Sequence, residues 1–170
     1  MDDSVLRSLA KWPDVPAVYG WLALDRRGNW LLRAAGSERF ERIANRALRE
    51  FIARNYEVDS RGCWFFQNGP QRVYVRLAYA PYVVHFEANA LVDQCGRVFA
   101  ETDPGFIDEE GSVLVQNGRT IALVDDRDLE RFVDRADKLA PIASADVAAR
   151  FGFVQNPAPA PVSGPRDSLR

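Results

Sequence analysis

The chain has 170 residues, of which 47% are hydrophobic, and a net charge of −2. This length fits one domain, or two small halves that share a core. Because the charge is weakly negative, it gives no long-range field that would attract nucleic acid or an anionic membrane. We therefore expect neither of these among the partners.

The termini and cysteines favour a reduced, cytoplasmic protein. The segment Met1–Ser4 is acidic and has no apolar run, so it does not match a secretory signal. No apolar stretch approaches the length that spans a bilayer. Cys63 and Cys95 are too few for a disulfide framework and form no Cys-x-x-Cys pair. We predict no cofactor.

The N-terminal part, residues 1–17, predicts a short helix over 3–11, followed by a loop with two prolines that a helix cannot pass. Residues 19–24 and 29–33 predict a hairpin around the turn Asp25–Gly28. Gly36-Ser37 then introduces a helix over 37–54, with Ser37 as its cap. The apolar residues of this helix recur at helical spacing, and charged residues occupy its other side.

Residues 56–124 read almost entirely as strands, with a turn at each cluster of Asp, Asn and Gly. These turns are Asp59–Gly62, Asn68-Gly69, Asp93–Gly96, Asp103–Gly105, Asp108–Gly111 and Asn117-Gly118. For the Asn-Gly turns we expect both residues at positive φ.

The segment starting at Val58 is repeated 49 positions later, at Ile107. Both copies read apolar residue, Asp-x-x-Gly, small residue, three apolar residues, then Gln-Asn-Gly. In each copy the middle strand is apolar on both faces, with Trp64 and Phe66 on one face and Phe65 on the other, which is typical of a central strand in a covered sheet. The repeat predicts one β-meander used twice.

Asp125-Asp126 caps a second amphipathic helix over 126–139. Its predicted inward residues are Leu129, Phe132, Val133, Ala136 and Leu139. Residues 144–151 add a short helix closed by Gly152, and the Pro-Ala-rich tail 155–170 is predicted to be disordered.

The predicted fold class is α+β: two antiparallel β-meanders form curved sheets, and the helices 37–54 and 126–139 cover them. The halves would comprise residues 18–88 and 89–154. A cleft is expected where they meet, and ligand sites often lie at such junctions.

Few residues suggest chemistry. A metal site is not expected, because the single histidine, His85, has no ligand partners at metal-binding spacing, and we interpret it as an ordinary strand residue. Cys63 and Cys95 could serve an enzyme only with a lowered thiol pKa, and structural roles are the simpler interpretation. The aspartates at 59, 93 and 108 are explained first by their turns.

One strand combines arginine with an aromatic ring. In residues 72–77, a period of two places Arg72, Tyr74 and Arg76 on one face. This pattern is compatible with an ordinary solvated sheet face. The functional alternative is an anion-binding wall, with guanidinium groups for phosphate or carboxylate and a ring for stacking. Trp12, Trp21 and Trp30 could line a groove, although core packing is the simpler role.

The stretches Gly20–Trp30 and Asp59–Val75 resemble a proteobacterial family of unknown function. The order of hairpin, helix and meander, followed by Ala80-Pro81-Tyr82, is similar to another uncharacterised bacterial family. That family is built of duplicated α+β units, one of them like a pleckstrin-homology fold. The resemblance implies a non-enzymatic ligand-binding or signalling module, with a site between its halves and no catalytic residue to carry over.

The leading hypothesis is thus a regulatory module that binds a small anionic or nucleotide-like ligand, or a protein partner. A protein-interaction adaptor is the alternative, using exposed strand edges or the tail. A cysteine-dependent enzyme acting through Cys63 or Cys95 is the rival from another class. A nucleic-acid binder ranks last, since the chain lacks basic patterning.

Overall fold

The structure, a computed structural model, describes residues 1–34 and 36–160. Within these residues the chain forms two six-stranded sheets and four helical segments. The helical segments are α1 (Asp3–Lys11), α2 (Arg46–Arg54), a 3-10 helix (Asp126–Lys138) and α3 (Ser144–Phe151).

The first sheet has the strand order β3-β2-β1-β6-β5-β4. Its strands are β1 (Val18–Leu24), β2 (Trp30–Arg33), β3 (Phe40–Arg42), β4 (Tyr56–Val58), β5 (Trp64–Asn68) and β6 (Gln71–Leu77). The sheet is mixed, because β1 runs antiparallel to β2 but parallel to β6. A hairpin and a meander are therefore joined side by side.

The second sheet, in the order β12-β9-β10-β11-β7-β8, repeats the hairpin and the meander of the first, but its sixth strand lies beside the meander instead of the hairpin. Its strands are β7 (Tyr82–Glu87), β8 (Ala90–Asp93), β9 (Asp103–Ile107), β10 (Val113–Asn117), β11 (Thr120–Val124) and β12 (Ala140–Pro141). Here β7 pairs antiparallel with β8 and parallel with β11, as β1 does with β2 and β6. The predicted α+β fold with a meander in each sheet is confirmed. The predicted boundary between the halves lay between residues 88 and 89. The chain instead passes from the first sheet to the second at residues 78–81, so β7 belongs to the second sheet.

The two sheets pack face to face on a shared core. Buried residues of both sheets and of α2 and α3 form this core, among them Leu22, Leu24, Ile52, Phe66, Val75, Leu77, Val83, Leu114, Ile121, Leu123 and Val147. The 3-10 helix covers the opposite face of the second sheet, where Phe132 packs with Val113, Val115 and Val124. The second sheet is thus buried on both faces, which explains its nearly continuous apolar strands.

The predicted helix over 37–54 is wrong in its first half. Residues Phe40–Arg42 form β3 and pair with Leu31–Arg33 of β2. The helix begins only at Arg46, where the side chain of Asn45 caps it by accepting a hydrogen bond from Leu48 N at 3.0 Å. These residues lie along the otherwise free edge of β2, where the pairing satisfies backbone N–H and C=O groups of both strands.

The second predicted helix adopts the 3-10 conformation, which changes the residues that face inward. A 3-10 helix has three residues per turn, so positions i and i+3 coincide. Phe132 is 2% exposed, as predicted, but Val133 is 68% exposed and Ala136 is also exposed. The prediction for Val133 and Ala136 is wrong because it assumed the α-helical period.

Two turn predictions also need correction. Asp103–Gly105 is the start of β9, and Gly105 is needed because an added Cβ would lie 2.2 Å from the carbonyl oxygen of Leu114. In the Asn-Gly hairpins, only Gly69 and Gly118 take positive φ, at 56° each, while the asparagines end their strands. Glycine at the first central position is typical of a type II′ turn.

The predicted disordered tail begins at residue 155, but Gln155 is anchored. Its carbonyl accepts a hydrogen bond from Leu77 N at 2.8 Å, and its side-chain amide donates to the Tyr79 carbonyl at 2.9 Å. The last ten residues of the tail, 161–170, lie outside the described residues.

Candidate functional site

The turn between β1 and β2, Asp25–Gly28, reaches across to the second sheet and separates two clefts. At Gly28, whose φ is 75°, an added Cβ would lie 3.1 Å from Cβ of Gln94 and 3.5 Å from Cβ of Val83. Gln94 is itself fixed, since its Oε1 accepts from Val83 N at 2.9 Å. The turn therefore touches the second sheet closely, with one cleft on each side.

The first cleft, which we call the arginine cleft, has a volume of about 380 Å³. One wall carries Arg42 from β3 and Arg46, Arg49 and Arg54 from α2. The turn Gln94–Gly96, which follows β8 of the second sheet, forms the facing wall. The site is thus assembled from both halves of the molecule.

The arginine cleft is strongly basic, because Glu50 is the one carboxylate among the described residues that line it. Arg46 pairs with Glu50 at 2.6 Å, and this bond holds the pKa of Glu50 below its ordinary range. Arg54 pairs with Asp2 at 3.2 Å. Arg42 makes no ion pair with any described carboxylate, which leaves a guanidinium group exposed to ligands.

Arg49 is held differently from its neighbours. Its Nη1 donates to the backbone carbonyls of Ile43 (3.1 Å) and Ala44 (2.8 Å), at the entrance to α2. These bonds use one nitrogen and fix the plane of the guanidinium group. Since arginine has five N–H donors in a rigid fork, the remaining ones are presented in a defined direction.

Trp30 also lines the arginine cleft and is 2% exposed. Its indole Nε1 is buried and has no hydrogen-bond acceptor among the described residues. The ring meets Tyr56 edge to face, with centroids 5.0 Å apart. A buried donor without a partner is uncommon and costs about 1–3 kcal/mol. The wall of the arginine cleft therefore contains an unsatisfied hydrogen-bond donor.

Cys95 lies in the arginine cleft, but its thiol is not activated. Burial and the nearby carboxylate of Asp93 raise the pKa of Cys95 to about 12. Burial likewise raises the pKa of Cys63, which packs with Phe65 and Tyr74 on the outer face of the first sheet. Both thiols are therefore protonated at neutral pH, and the thiolate is the nucleophilic form.

The second cleft, which we call the Arg26 cleft, is larger, at about 590 Å³. Its rim consists of Arg26 and Arg27 from the β1–β2 turn, residues 110–112 from the repeated turn of the second sheet, and Asp126 from the 3-10 helix. Its floor is apolar and comprises Ala78, Leu123, Val124 and Leu129. It is mixed in charge, in contrast to the arginine cleft.

The residues predicted as an anion-binding wall lie on the outer face of the first sheet, away from both clefts. Arg72 is exposed and its guanidinium carbon lies 4.6 Å from the centre of the Phe65 ring. Tyr74 is buried, and its ring stacks on Tyr19 with centroids 4.5 Å apart. Arg76 is exposed beside a separate depression of about 380 Å³. The Tyr74 ring is thus already stacked on a protein side chain.

The hydroxyl of Tyr74 is used as well. It donates to Asp59 Oδ2 at 2.9 Å and accepts from Arg61 Nη2 at 3.2 Å. Asp59 also accepts from Cys63 N at 3.0 Å, so it completes its Asp-x-x-Gly turn as predicted. His85 lies in β7 with Nε2 3.2 Å from Glu87.

Of the three tryptophans considered for a groove, Trp21 is half-exposed and lines one. This apolar groove, of about 260 Å³, is bounded by Trp21, Leu32 and Leu48 at its rim. Trp30 is buried in the wall described above, and Trp12 is exposed after α1.

Sequence reasoning missed the arginine cleft, although a signal was present. Arg42, Arg46 and Arg49 recur at intervals of four and three, which is helical spacing on the polar side of the predicted helix. That spacing groups the cations. It does not reveal that the turn Gln94–Gly96, far away in the sequence, closes the cleft.

A family model named DUF2944, with the description "Protein of unknown function (DUF2946)", matches residues 1–158. The fold is also similar to crystal structures of two DUF1285 family proteins. The protein from Shewanella baltica OS155 is 13% identical, with a TM-score of 0.46 over 66% of this chain and 90% of that chain. The protein from Silicibacter pomeroyi DSS-3 is 16% identical, with a TM-score of 0.47 over 79% of this chain and 85% of that chain. No curated protein matches the chain.

Across residues 1–34 and 36–160, no helix has the length and apolar character needed to cross a membrane. The same residues contain no group of three or more His, Cys, Asp or Glu side chains placed to hold a metal ion.

Proposed function

The chain belongs to the DUF2944 family of proteins of unknown function, and we propose that it binds a small, multiply charged anion in the arginine cleft. In this proposal the protein is a cytoplasmic, non-enzymatic regulatory module whose ligand carries phosphate or several carboxylate groups. The observation that supports it most directly is the convergence of four arginines on one cleft between the two halves, where Glu50 is the one carboxylate among the described lining residues.

Arginine suits such a ligand physically. The guanidinium fork binds phosphate and carboxylate oxygens through two parallel N–H bonds, and these charge-assisted bonds are roughly twice as strong as neutral ones. Arg42 has no described carboxylate partner, and Arg49 is held by backbone carbonyls. The cleft therefore presents at least two guanidinium groups that need no internal ion pair to be broken before a ligand binds.

The size of the cleft sets a range for the ligand. A volume of about 380 Å³ lies at the lower end of the range of about 300–1,000 Å³ that is typical of small-molecule pockets. Pyrophosphate, a polycarboxylate or the phosphate part of a nucleotide fits this size. The buried indole N–H of Trp30 on the same wall would gain a hydrogen-bond acceptor if the wall opened slightly on binding.

The protonated state of the Cys95 thiol supports a binding role over cysteine catalysis. A nucleophilic cysteine needs a neighbouring base or cation that lowers the thiol pKa. Here burial and the carboxylate of Asp93 act in the opposite direction. We expect slow alkylation of Cys95 by iodoacetamide at neutral pH, and fast alkylation would restore the enzyme hypothesis.

The experiment is isothermal titration of the protein with pyrophosphate, citrate and ATP, in the wild type and in two double variants. Arg42→Gln/Arg46→Gln removes two cations of the arginine cleft. Arg72→Gln/Arg76→Gln removes the two cations of the predicted wall and is matched in charge. We expect the first variant to bind at least about 10-fold more weakly and the second to bind like the wild type.

The same titration separates the two possible anion sites. Loss of binding only in Arg72→Gln/Arg76→Gln would assign the ligand to the outer face of the first sheet. No saturable binding of any of the three anions would refute an anion-binding function. Wild-type affinity should also fall as salt rises, since the exposed charges are screened.

A protein-interaction adaptor is the second candidate, and the apolar groove favours it. Trp21 is 47% exposed beside Leu32 and Leu48, and tryptophan is enriched among residues that dominate binding energy at protein interfaces. In this alternative, a large apolar side chain of a partner protein fills the groove. Trp21→Ser should then abolish partner binding and leave anion binding in the arginine cleft unchanged.

A further inference from the structure

We infer that the Arg26 cleft is a second ligand site, which takes a small monocarboxylate with an apolar body. The cleft combines one fixed, unpaired cation at its rim with an apolar floor of Ala78, Leu123, Val124 and Leu129. This inference does not depend on the arginine cleft, because it uses different residues and predicts a different class of ligand.

The cation is held in position by a chain of contacts. The guanidinium carbon of Arg26 lies 4.5 Å from the centre of the Tyr79 ring, and its Nη2 donates to Ser112 Oγ at 2.6 Å. The Tyr79 hydroxyl donates to Asp108 Oδ2 at 2.7 Å, and Asp108 Oδ1 accepts from Ser112 N at 2.7 Å. Because stacking and hydrogen bonds fix the group in advance, a ligand loses little side-chain entropy in binding it.

Most donors of Arg26 remain available. Of its five N–H groups, one makes a hydrogen bond to a described residue, and no described carboxylate lies within ion-pair distance of it. A carboxylate can accept two parallel bonds from such a group. Because Arg26 lines the cleft, its unused N–H donors can bind one carboxylate there.

The other charges at the rim are mostly satisfied internally. Arg27 and Asp126 form a two-bond ion pair, with distances of 3.0 and 2.8 Å. The Asp25 carboxylate accepts from Arg27 N, Asn29 N and the Asn29 side chain, so it is used by the turn. Glu110 is exposed and makes no side-chain ion pair with a described residue, so it opposes an anion weakly through solvent.

The floor and volume determine the rest of the ligand. Four apolar side chains below a single cation suit a molecule with one carboxylate and a hydrocarbon or aromatic body. The volume of about 590 Å³ leaves room for a ring or a medium-length chain. A multiply charged anion is disfavoured here, since the described residues of the rim include one unpaired cation and also Glu110.

The test is a titration of the full chain with 3-phenylpropionate and with octanoate, in which NMR measures the binding. We expect saturable binding of at least one of them, about 10-fold weaker in Arg26→Gln and weaker in Leu129→Ala, which shortens the floor. Glu110→Gln should bind about 2-fold more tightly, since it removes a screened like charge. Arg119→Gln, at an exposed position of the β10–β11 turn that lines neither cleft, is the matched control and should bind like the wild type.

The alcohol 3-phenylpropanol, which has the same body but no carboxylate, should bind far more weakly than 3-phenylpropionate. Absence of saturable binding by both carboxylates, equal affinity in Arg26→Gln, or equal affinity for the alcohol would each overturn the inference. Thermal unfolding of Arg26→Gln verifies that the variant is folded, as expected for an exposed side chain.

Discussion

The two copies of the repeated meander share their turns but present opposite faces to the shared core. In the first copy, Phe66 faces that core, and Phe65 faces outward with Tyr74. In the second copy, Leu114 occupies the position equivalent to Phe65, yet it is the residue that faces the shared core. Its neighbour Val115, equivalent to Phe66, faces the 3-10 helix.

The difference follows from what covers each sheet. The outer face of the first sheet carries a small cluster of Cys63, Phe65 and Tyr74 and exposed arginines. The 3-10 helix with Phe132 covers the outer face of the second sheet. The repeated sequence thus sets the turn and the strand register, whereas the element packed on each face decides the direction in which equivalent side chains are buried.

The largest expected effect on stability concerns the 3-10 helix that covers the second sheet. Phe132→Ala should lower the free energy of unfolding by about 3–5 kcal/mol, because it removes a buried ring that packs on Val113, Val115 and Val124. Val133→Ala, at the adjacent exposed position, should change it by less than about 0.5 kcal/mol. Urea unfolding measures both, and a similar loss in the two variants would contradict the 3-10 register.

The next prediction compares equivalent glycines of the two Asp-x-x-Gly turns. Gly62 and Gly111 have φ of 78° and 81°, so alanine is strained by about 1–2 kcal/mol at either position. At Gly62, an added Cβ would also lie 2.3 Å from the carbonyl oxygen of Gly152, while at Gly111 it would meet no described atom within 4 Å. Gly62→Ala should therefore cost about 3 kcal/mol and Gly111→Ala about 1. Equal losses would show that the contact with Gly152 is unimportant.

A third comparison concerns the tyrosines that serve the two turn aspartates. Burial alone would raise the pKa of Asp108, but hydrogen bonds from Tyr79 and Ser112 outweigh it and hold the pKa below its ordinary value of 3.8. Tyr79→Phe should cost about 2 kcal/mol at pH 7 by removing a bond to a charged group. Tyr74→Phe should cost less, because Asp59 keeps its contacts with Arg61.

The pH dependence of this loss has a definite sign. A lowered carboxyl pKa contributes stability above the unfolded-state value, and that contribution disappears as the pH falls through the folded-state pKa. The deficit of Tyr79→Phe should therefore be full at pH 7 and shrink below about pH 4. A deficit that stays constant down to pH 2 would assign the effect to packing instead of the hydrogen bond.

The smallest effect is expected at Asp93, the third aspartate of this turn type. Burial raises its pKa, although backbone hydrogen bonds from Arg97 and Cys95 act against this. Because the pKa of Asp93 is raised in the folded state, its protonated carboxyl group contributes stability at acidic pH. This contribution is lost as the pH rises from 3.8 through the folded-state pKa. Asp93→Asn should therefore lower the free energy of unfolding at pH 7 by less than Asp108→Asn does. In addition, Oδ1 of Asp93 accepts both backbone hydrogen bonds, and asparagine retains this oxygen. A greater loss at Asp93 would contradict the sign of this shift.

Much of the fold was predictable because turn chemistry is local. Aspartate and glycine at fixed offsets located the turns at 25, 59, 93 and 108, and the repeat predicted a meander in each sheet. The helix over 37–54 was not predictable in its first half, since the pairing of β3 with β2 depends on a free strand edge. The inward residues of the 3-10 helix were misassigned because the sequence pattern does not reveal three residues per turn.

The candidate sites were less predictable, since both clefts depend on contacts between distant segments. Composition showed many arginines, and the period of two predicted Arg72, Tyr74 and Arg76 on one face. It did not show that Tyr19 covers the Tyr74 ring. Nor could it place Arg26 beside Ser112, because 86 positions separate them and only the packing of the two sheets joins them.

The most direct measurement is NMR mapping of backbone amides while the wild type is titrated with pyrophosphate. Binding in the arginine cleft predicts saturable shifts at Arg42, Arg46 and Cys95, with β6 around Tyr74 unchanged. Two results would contradict binding in the arginine cleft: shifts confined to β6, or no saturable shift up to about 10 mM pyrophosphate. A dissociation constant above about 10 mM corresponds to a free energy of binding weaker than about −3 kcal/mol.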